Sequence, residues 1–476
     1  MVNENKSSVA VVGAGPGGYA AAFLASDLGL NVTLIDPEDN PGGVCLYRGC
    51  IPSKILLHLV KIIQMAREAD ALGIHYDEPR LELDKIRSSK EQIVQQVTSG
   101  LGFLSKKRKI KYLQGKASFL DSNTLQIKLN AGKEEKQSFD HIILATGSEA
   151  VSLPNIKLQS SKIWNSTDAL NLKNIPSSLL VVGGGYIGLE LGTVYSQLGS
   201  KVTVVEMMPG ILPGVDRDLV GIYTKHSERY FENILVKTKV ANIQEESHSL
   251  KVAFDPESGQ ANEGNYEAVL VSIGREPITN DIGLENTKIE FTEKGYIKVN
   301  EQRQTDDSVI YAIGDITGPP LLAHKATHEG RVAAEAIAGQ KSAFEPAAIP
   351  AVEYTDPEIA YCGLSETQAK ENQQKIEVAK FPWGASGRAA TLGRTEGLTK
   401  LIIDPKSERI LGVGIVGQDA GELIAEGALA LEMAAVAKDL GMTIHPHPTL
   451  SETLMEAAEV FYGQSTHYFR SKRKKR

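Results

Sequence analysis

Cysteine is scarce in this chain: 476 residues contain three. Three thiols cannot staple a secreted scaffold of this length. The chain is therefore expected to be cytoplasmic, in a reducing setting where a disulfide is catalytic or redox-sensing. A second Cys or His pair at ligand spacing is also missing beside Cys45 and Cys50, which argues against a bound metal. Positive charge is in deficit. Lys and Arg number 51 against 59 Asp and Glu, a net charge of −8, so no nucleic-acid partner is expected. Long uncharged runs are lacking too. The one candidate, Ser7–Ser26 after Lys6, contains Gly13, Gly15, Pro16, Gly17 and Gly18, which break the apolar centre that a signal peptide needs. No other uncharged run approaches the ~20 residues of a membrane helix, and no membrane association is expected. The length suggests roughly three domains.

What the chain has instead is a repeat. Residues 9–36 begin Val-Ala-Val-Val, pass through Gly13-x-Gly15-x-x-Gly18 and a helical stretch, and end Val-Thr-Leu-Ile-Asp36. Residues 179–206 begin Leu-Leu-Val-Val, pass through Gly183-x-Gly185-x-x-Gly188, and end Val-Thr-Val-Val-Glu206. The blocks align without a gap, 170 positions apart. A lone glycine motif is weak evidence. Here each copy follows an apolar strand, opens a helix and closes a second strand in a carboxylate, which is the context of a dinucleotide fingerprint. The glycines allow a tight turn and close approach to a pyrophosphate, and the helix N-terminus takes its charge. Asp36 and Glu206 are placed to accept from a ribose hydroxyl. Two fingerprints predict two dinucleotides. Glu206 has no nearby basic residue, since Lys201 lies at the other end of its strand, and this favours NAD over NADP.

The segment Gly42–Lys54 reads Gly-Gly-Val-Cys-Leu-Tyr-Arg-Gly-Cys-Ile-Pro-Ser-Lys. Two cysteines bridge only when their Cα atoms come within about 7 Å, which an irregular helical turn between Cys45 and Cys50 allows. Pro52 suits the first turn of a helix, so Cys50 sits near a helix N-terminus, where the dipole favours a thiolate. On spacing alone, the pair reads equally as a redox couple or as two inert thiols. A nicotinamide carries hydride and a dithiol exchanges two electrons. Direct hydride transfer to sulfur is poor chemistry, so a flavin is the natural relay between them.

Periodicity predicts helices over 54–72 and 81–110 and short strands over 111–136. Ile142–Ser148 reads as a buried strand ending in a Thr-Gly-Ser turn, equally a nucleotide contact or an ordinary strand end. Ala268–Arg275 repeats that pattern. Val309–Asp315 is a third apolar strand ending in an aspartate, with a helix expected over 326–338. From about Pro346 the pattern becomes α+β, with strands at 359–363, 398–403 and 410–416 and helices at 419–440 and 451–462.

Six separated motifs then carry a resemblance. They are the Gly42–Lys54 segment, the two fingerprints, Ala-Thr-Gly-Ser at 145–148, Ala-Ile-Gly-Asp at 312–315, and His445-Pro-His447-Pro-Thr-Leu-Ser-Glu452. Together they make the chain resemble the pyridine nucleotide–disulfide oxidoreductases from Val9 to about Tyr468. The last motif is similar to that of the branch that reoxidises protein-bound dihydrolipoamide. Glutathione reductases carry basic residues in place of Glu206, mercuric reductases end in a cysteine pair, and soluble transhydrogenases lack one active cysteine.

The resemblance implies an α/β chain with two Rossmann-like domains and a C-terminal α+β dimerisation domain. Residues 1–150 would bind FAD and hold the redox disulfide, 151–275 would bind NAD, 276–345 would complete the FAD domain, and 346–476 would form the interface of a homodimer. It implies Cys50 facing the flavin, Cys45 facing the substrate, and His447 as acid/base held by Glu452 and reaching the other subunit. Gly13, Gly15, Gly18 and Asp36 would bind FAD, with Asp315 on the ribityl chain. Gly183, Gly185, Gly188 and Glu206 would bind NAD. Thr146, Gly147, Ser148, Ala323 and Gly274 join the cofactor contacts, and Lys54 would lie beside the flavin, paired with Glu190. Implied partners are the lipoyl domains of a 2-oxo-acid dehydrogenase complex or the glycine-cleavage system. Some residues depart from the common pattern. Tyr47-Arg48 stands where smaller residues are usual, and Tyr186 stands where glutathione reductases gate the nicotinamide. Cys362 is expected to be a reduced structural thiol. The basic tail from Arg470 is expected to be a solvated end, with docking to an acidic partner as the alternative.

Overall fold

The computed structural model describes residues 7–469 except 155 and 157; the basic tail lies outside the described residues. The chain divides into two compact units. The first gathers the chain up to Ser152 with Asn165–Asn174 and Ile273–Glu345, and the second gathers Leu153–Trp164, Ile175–Ser272 and the chain from Pro346 onward.

In the first unit, β1 (Ser8–Val12), α1 (Pro16–Asp27) and β2 (Asn31–Asp36) form the first fingerprint. The strands read as unbroken apolar runs because the sheet is covered on both faces. Val9, Val11, Leu34 and Ile143 are fully buried and pack in one cluster with Ala21, Ala22 and Ala25 of α1. After β2 come α2 (Gly43–Arg48), α3 (Cys50–Glu68) and α4 (Leu83–Lys107). The chain then returns as β3 (Lys111–Phe119), β4 (Thr124–Leu129), β5 (Glu134–Ser138) and β6 (His141–Leu144). The sheet order is Ile310–Ala312, β6, β1, β2, β3, β4, β5. Its first five strands are parallel and its last two pairings antiparallel. The helix Ala323–Ile337 crosses α1 closely: a Cβ on Gly330 would meet the Gly17 carbonyl oxygen at 2.5 Å.

By length and composition, the helical run Gly43–Leu72 could cross a membrane. It is broken at Gly49 (φ −142°, ψ −111°), and Leu56, Val60 and Ile63 are buried within the protein.

The second unit repeats the parallel arrangement with strands Asn233–Leu235, Lys201–Val205, Ser178–Val182, Ala268–Val271 and Ile163–Trp164 in that order. Its C-terminal part is a five-stranded antiparallel sheet covered by helices Ala420–Glu432 and Glu452–Tyr462 around the buried Trp383.

Several expected boundaries move. The helix expected at 54–72 begins at Cys50 and tightens into a 3₁₀ turn after Glu68, and that expected at 81–110 is α4. The strand expected at 142–148 stops at Leu144, and Gly147 then turns through φ 77°. The strand expected to reach Asp315 ends at Ala312, and Gly314–Thr317 forms a 3₁₀ turn. The helix expected at 419–440 is two helices, Ala420–Glu432 and Ala437–Met442. Ala434 turns left-handed (φ 53°) and Val436 leaves the helix to bridge Arg409.

Candidate active site

Each fingerprint uses its glycines differently. Gly13 takes φ 98°, and a Cβ there would strike the Ala145 carbonyl oxygen at 2.3 Å. A Cβ on Gly18 would meet the Gly13 oxygen at 1.9 Å. These two are required by backbone packing. A Cβ on Gly15, by contrast, would find nothing nearer than the Gly43 Cα at 4.0 Å. That open space, at the N-cap of α1 and with no side chain capping it, fits a pyrophosphate. Asp36 closes the site. Its Oδ2 accepts from the Ala14 N–H at 2.7 Å and its Oδ1 from the Glu38 N–H at 3.0 Å. Burial raises the Asp36 pKa above the ordinary value against the pull of both N–H groups.

The second fingerprint reproduces this frame. Gly183 takes φ 108°, a Cβ on Gly188 would meet the Gly183 oxygen at 2.4 Å, and one on Gly185 would meet nothing within 4 Å. Glu206 Oε2 accepts from the Gly184 N–H and Oε1 from the Met208 N–H, both at 2.7 Å. Glu190 is buried on the helix that Tyr186 opens, and its Oε1 accepts from the Tyr354 N–H at 3.0 Å.

The cysteines face each other across the break between α2 and α3. Their Sγ atoms lie 2.6 Å apart, and Cys50 is the first residue of α3. The Cys50 sulfur, then burial, pushes the Cys45 thiol far above its ordinary range, while the charge of Lys54 opposes the shift. The cysteine helix abuts the first cradle: a Cβ on Gly43 would meet the Gly15 Cα at 2.5 Å.

Ser148 and Asp315, far apart in sequence, meet: the Ser148 hydroxyl donates to Asp315 Oδ2. Arg275 Nε donates to the Ser148 oxygen at 2.8 Å, and the Thr146 hydroxyl donates to the Ile278 carbonyl at 2.7 Å. Gly274 sits at this turn, its carbonyl accepting from the Val151 N–H at 3.1 Å. Ala323 begins the helix that follows the Asp315 turn.

Sequence reasoning missed what fixes Asp315. Glu329, fully buried, accepts from the Gly314 N–H at 2.6 Å and pairs with Arg303 at 2.9 Å and Lys325 at 3.2 Å. Lys325 also donates to the Gly318 carbonyl at 2.9 Å. The i,i+4 spacing of Lys325 and Glu329 was the only available signal.

In the second unit, His447 Nδ1 lies 2.8 Å from Glu452 Oε1, and Glu452 Oε2 accepts from the Thr449 N–H at 2.7 Å. The other ring nitrogen is left for chemistry on an exposed side chain. His445 is held separately, by Glu426 at 2.8 Å. The Cys362 thiol is buried, and burial pushes its pKa up to about 12. Asp216, Asp218 and Glu366 converge closely enough for a cation. Lys400 fills that place, donating to them at 2.6, 2.8 and 2.9 Å, so the cluster reads as an ion-pair network.

Residues 7–330 match the family described as pyridine nucleotide-disulphide oxidoreductase, and residues 349–458 match its dimerisation domain. A dihydrolipoyl dehydrogenase of Haemophilus influenzae is 47% identical over 98% of this chain and 97% of its own length. One from Geobacillus stearothermophilus is 42% identical over 96% of each. Among solved structures, LpdA from Mycobacterium tuberculosis superposes with a TM-score of 0.88 at 25% identity, covering 96% of this chain and 99% of that one. The HOCl-induced flavoprotein disulfide reductase RclA from Escherichia coli gives 0.83 at 26%, covering 94% and 98%.

Proposed function

Because this chain belongs to the pyridine nucleotide-disulphide oxidoreductase family, we propose that it reoxidises protein-bound dihydrolipoamide to lipoamide with NAD as acceptor. The observation that carries the proposal is near full-length likeness to dihydrolipoyl dehydrogenases in a chain that retains both close cysteines and the His447–Glu452 pair.

In this reading His447, oriented by Glu452, takes the proton from one thiol of dihydrolipoamide. The resulting thiolate attacks the Cys45 sulfur of the oxidised pair. The Cys45–Cys50 bond breaks and Cys50 leaves as a thiolate, stabilised at the start of α3. The second substrate thiol then displaces Cys45, releasing lipoamide and leaving both cysteines reduced. Bound FAD supplies the two-electron relay from this dithiol to NAD. Gly13, Gly15, Gly18, Asp36, Thr146, Gly147, Ser148, Asp315 and Ala323 would hold the flavin dinucleotide, with Lys54 beside its ring. Gly183, Gly185, Gly188, Glu190, Glu206 and Gly274 would serve NAD. The protein acts as a cytoplasmic homodimer on the lipoyl domains of a 2-oxo-acid dehydrogenase complex or the glycine-cleavage system.

The test is spectral and kinetic. The purified protein should be yellow, show a long-wavelength charge-transfer band after two-electron reduction, and turn over dihydrolipoamide with NAD far better than glutathione disulfide with NADPH. His447→Gln should slow dihydrolipoamide oxidation by about 10²–10⁴-fold, the usual worth of a positioned acid/base. A colourless protein, or a preference for glutathione disulfide, would refute the reading.

A further inference from the structure

Tyr47 and Arg48 stand between the two cysteines, and neither belongs to the proton or electron route. Both side chains turn back toward the ribose end of the first fingerprint. Arg48 closes α2, and its guanidinium pairs with the Glu38 carboxylate. Glu38 gives its backbone N–H to Asp36 Oδ1 at 3.0 Å, and its carbonyl accepts from the Tyr112 hydroxyl at 2.9 Å. The Tyr47 hydroxyl donates to the Asn40 carbonyl at 3.0 Å and accepts from the Asn40 N–H at 3.3 Å.

Segment 37–43 is gripped from its other side by the fingerprint turn. The Gly42 N–H donates to the Ala14 carbonyl at 2.8 Å, and Gly43 lies directly on Gly15. Asn40 fills the space left by Gly102 of α4, where a Cβ would meet its Oδ1 at 1.9 Å. The same seven residues therefore touch the dinucleotide cradle along one edge and the intercysteine side chains along the other.

We propose that Tyr47 and Arg48 are positioning residues that lock the redox helix α2 to the ribose end of the first dinucleotide site, so that occupancy of that site sets the geometry of the cysteine pair. The inference rests on the function proposed above, with FAD in the first cradle. The charge-assisted Arg48–Glu38 contact and the two Tyr47 hydroxyl hydrogen bonds to Asn40 hold α2 from outside, which a helix of six residues with one buried side chain, Leu46, needs.

The test uses the holoenzyme with Arg48→Glu, Glu38→Arg, the double reversal, and Tyr47→Phe. Two quantities are followed: flavin release, by recovery of its fluorescence, and alkylation of the cysteine pair by iodoacetamide after two-electron reduction. Each single reversal should speed flavin release and change the alkylation rate by roughly 3- to 10-fold, the range expected for a half-exposed charged pair. The double reversal should return both to within about 2-fold of wild type. Tyr47→Phe should move both in the same direction by less. Glu38→Gln repeats the test without reversal of charge if a reversed variant does not fold. Single variants that match wild type, or a double variant no closer to wild type than the worse single, would overturn the coupling. A wild-type protein without flavin would refute the proposed function itself, and that result is visible before any variant is made.

Discussion

In both fingerprint units the third glycine lies against the carbonyl of the first, at 1.9 Å from an imagined Cβ on Gly18 and 2.4 Å from one on Gly188. In both, a carboxylate at the strand end takes a 2.7 Å hydrogen bond from the residue after the first glycine. A returning loop tops both frames: the Gly42 N–H donates to the Ala14 carbonyl and the Leu212 N–H to the Gly184 carbonyl, each at 2.8 Å. They part in what that loop carries. In the first unit Gly43, the first residue of α2, lies on Gly15, so the loop runs straight into the redox helix. In the second, Ile211 packs over Gly184 and the chain goes on to the helix Arg217–Ser227. One frame joins its cradle to the cysteine pair and the other carries a cradle alone, which suits the proposed assignment of FAD and NAD.

The largest effect is expected from disabling the cysteine pair that the first unit carries beside its cradle. Cys45→Ser should abolish turnover of dihydrolipoamide while leaving the flavin bound, because the cradle glycines and Asp36 are untouched. Measurable steady-state turnover would rule out the disulfide route. Next in size is the paired substitution Gly18→Ala and Gly188→Ala. Each methyl meets a fixed backbone oxygen, and overpacking of this kind costs about 1–3 kcal/mol, roughly 5- to 150-fold in binding. Gly18→Ala should purify with little flavin. Gly188→Ala should keep its flavin and show a raised KM for NAD. Flavin loss from both would mean that the two cradles are not functionally distinct. A smaller effect is expected at Glu206. Two backbone hydrogen bonds fix its carboxylate at the strand end, and in the proposed function this negative charge disfavours a 2′-phosphate, so Glu206→Ala should narrow the preference for NAD over NADP without changing flavin content. Equal use of both cofactors by the wild type would contradict this role.

The fingerprints were legible because their chemistry is local. A left-handed turn at Gly13 or Gly183 must be glycine, and the carboxylate follows at a fixed offset along one βαβ unit. The cysteine segment was only half legible, since spacing left a redox couple and two inert thiols equal, and the His447–Glu452 pair was expected from the family resemblance; the structure brings each pair within hydrogen-bonding reach. What fixes Asp315 was not. Arg303 and Glu329 meet only after the chain has passed through a strand and a turn, and neither residue type at those positions signals burial. The Lys400 network spans 184 residues to Asp216. The break near Ala434 carries no glycine or proline, and the turn there is imposed by the strand pairing of Val436 rather than by local preference.

The smallest expected effect concerns pH, where two carboxyls respond with opposite sign. Burial raises Asp36 above its ordinary 3.8, although the Ala14 and Glu38 N–H groups oppose it. The folded protein therefore takes up this proton before the unfolded chain does, and Asp36 by itself does not drive acid unfolding. A protonated Asp36 is a poorer acceptor for a ribose hydroxyl, so flavin affinity should fall as pH falls through that raised value. Glu452 behaves the other way. Burial would raise it, but the Thr449 N–H and His447 outweigh burial and hold it below its ordinary 4.5. Its contribution to stability is complete above the unfolded value and is lost as pH falls through the lower folded one. Acidification should thus release flavin before the fold is lost, read as fluorescence recovery preceding the change in far-UV circular dichroism. Asp36→Asn should remove the pH dependence of release, and Glu452→Gln should flatten only the acid end of the unfolding curve. If the two signals coincide in the wild type and Asp36→Asn leaves the release midpoint in place, the buried carboxylate does not govern the first cradle, and its backbone contacts must account for flavin retention alone.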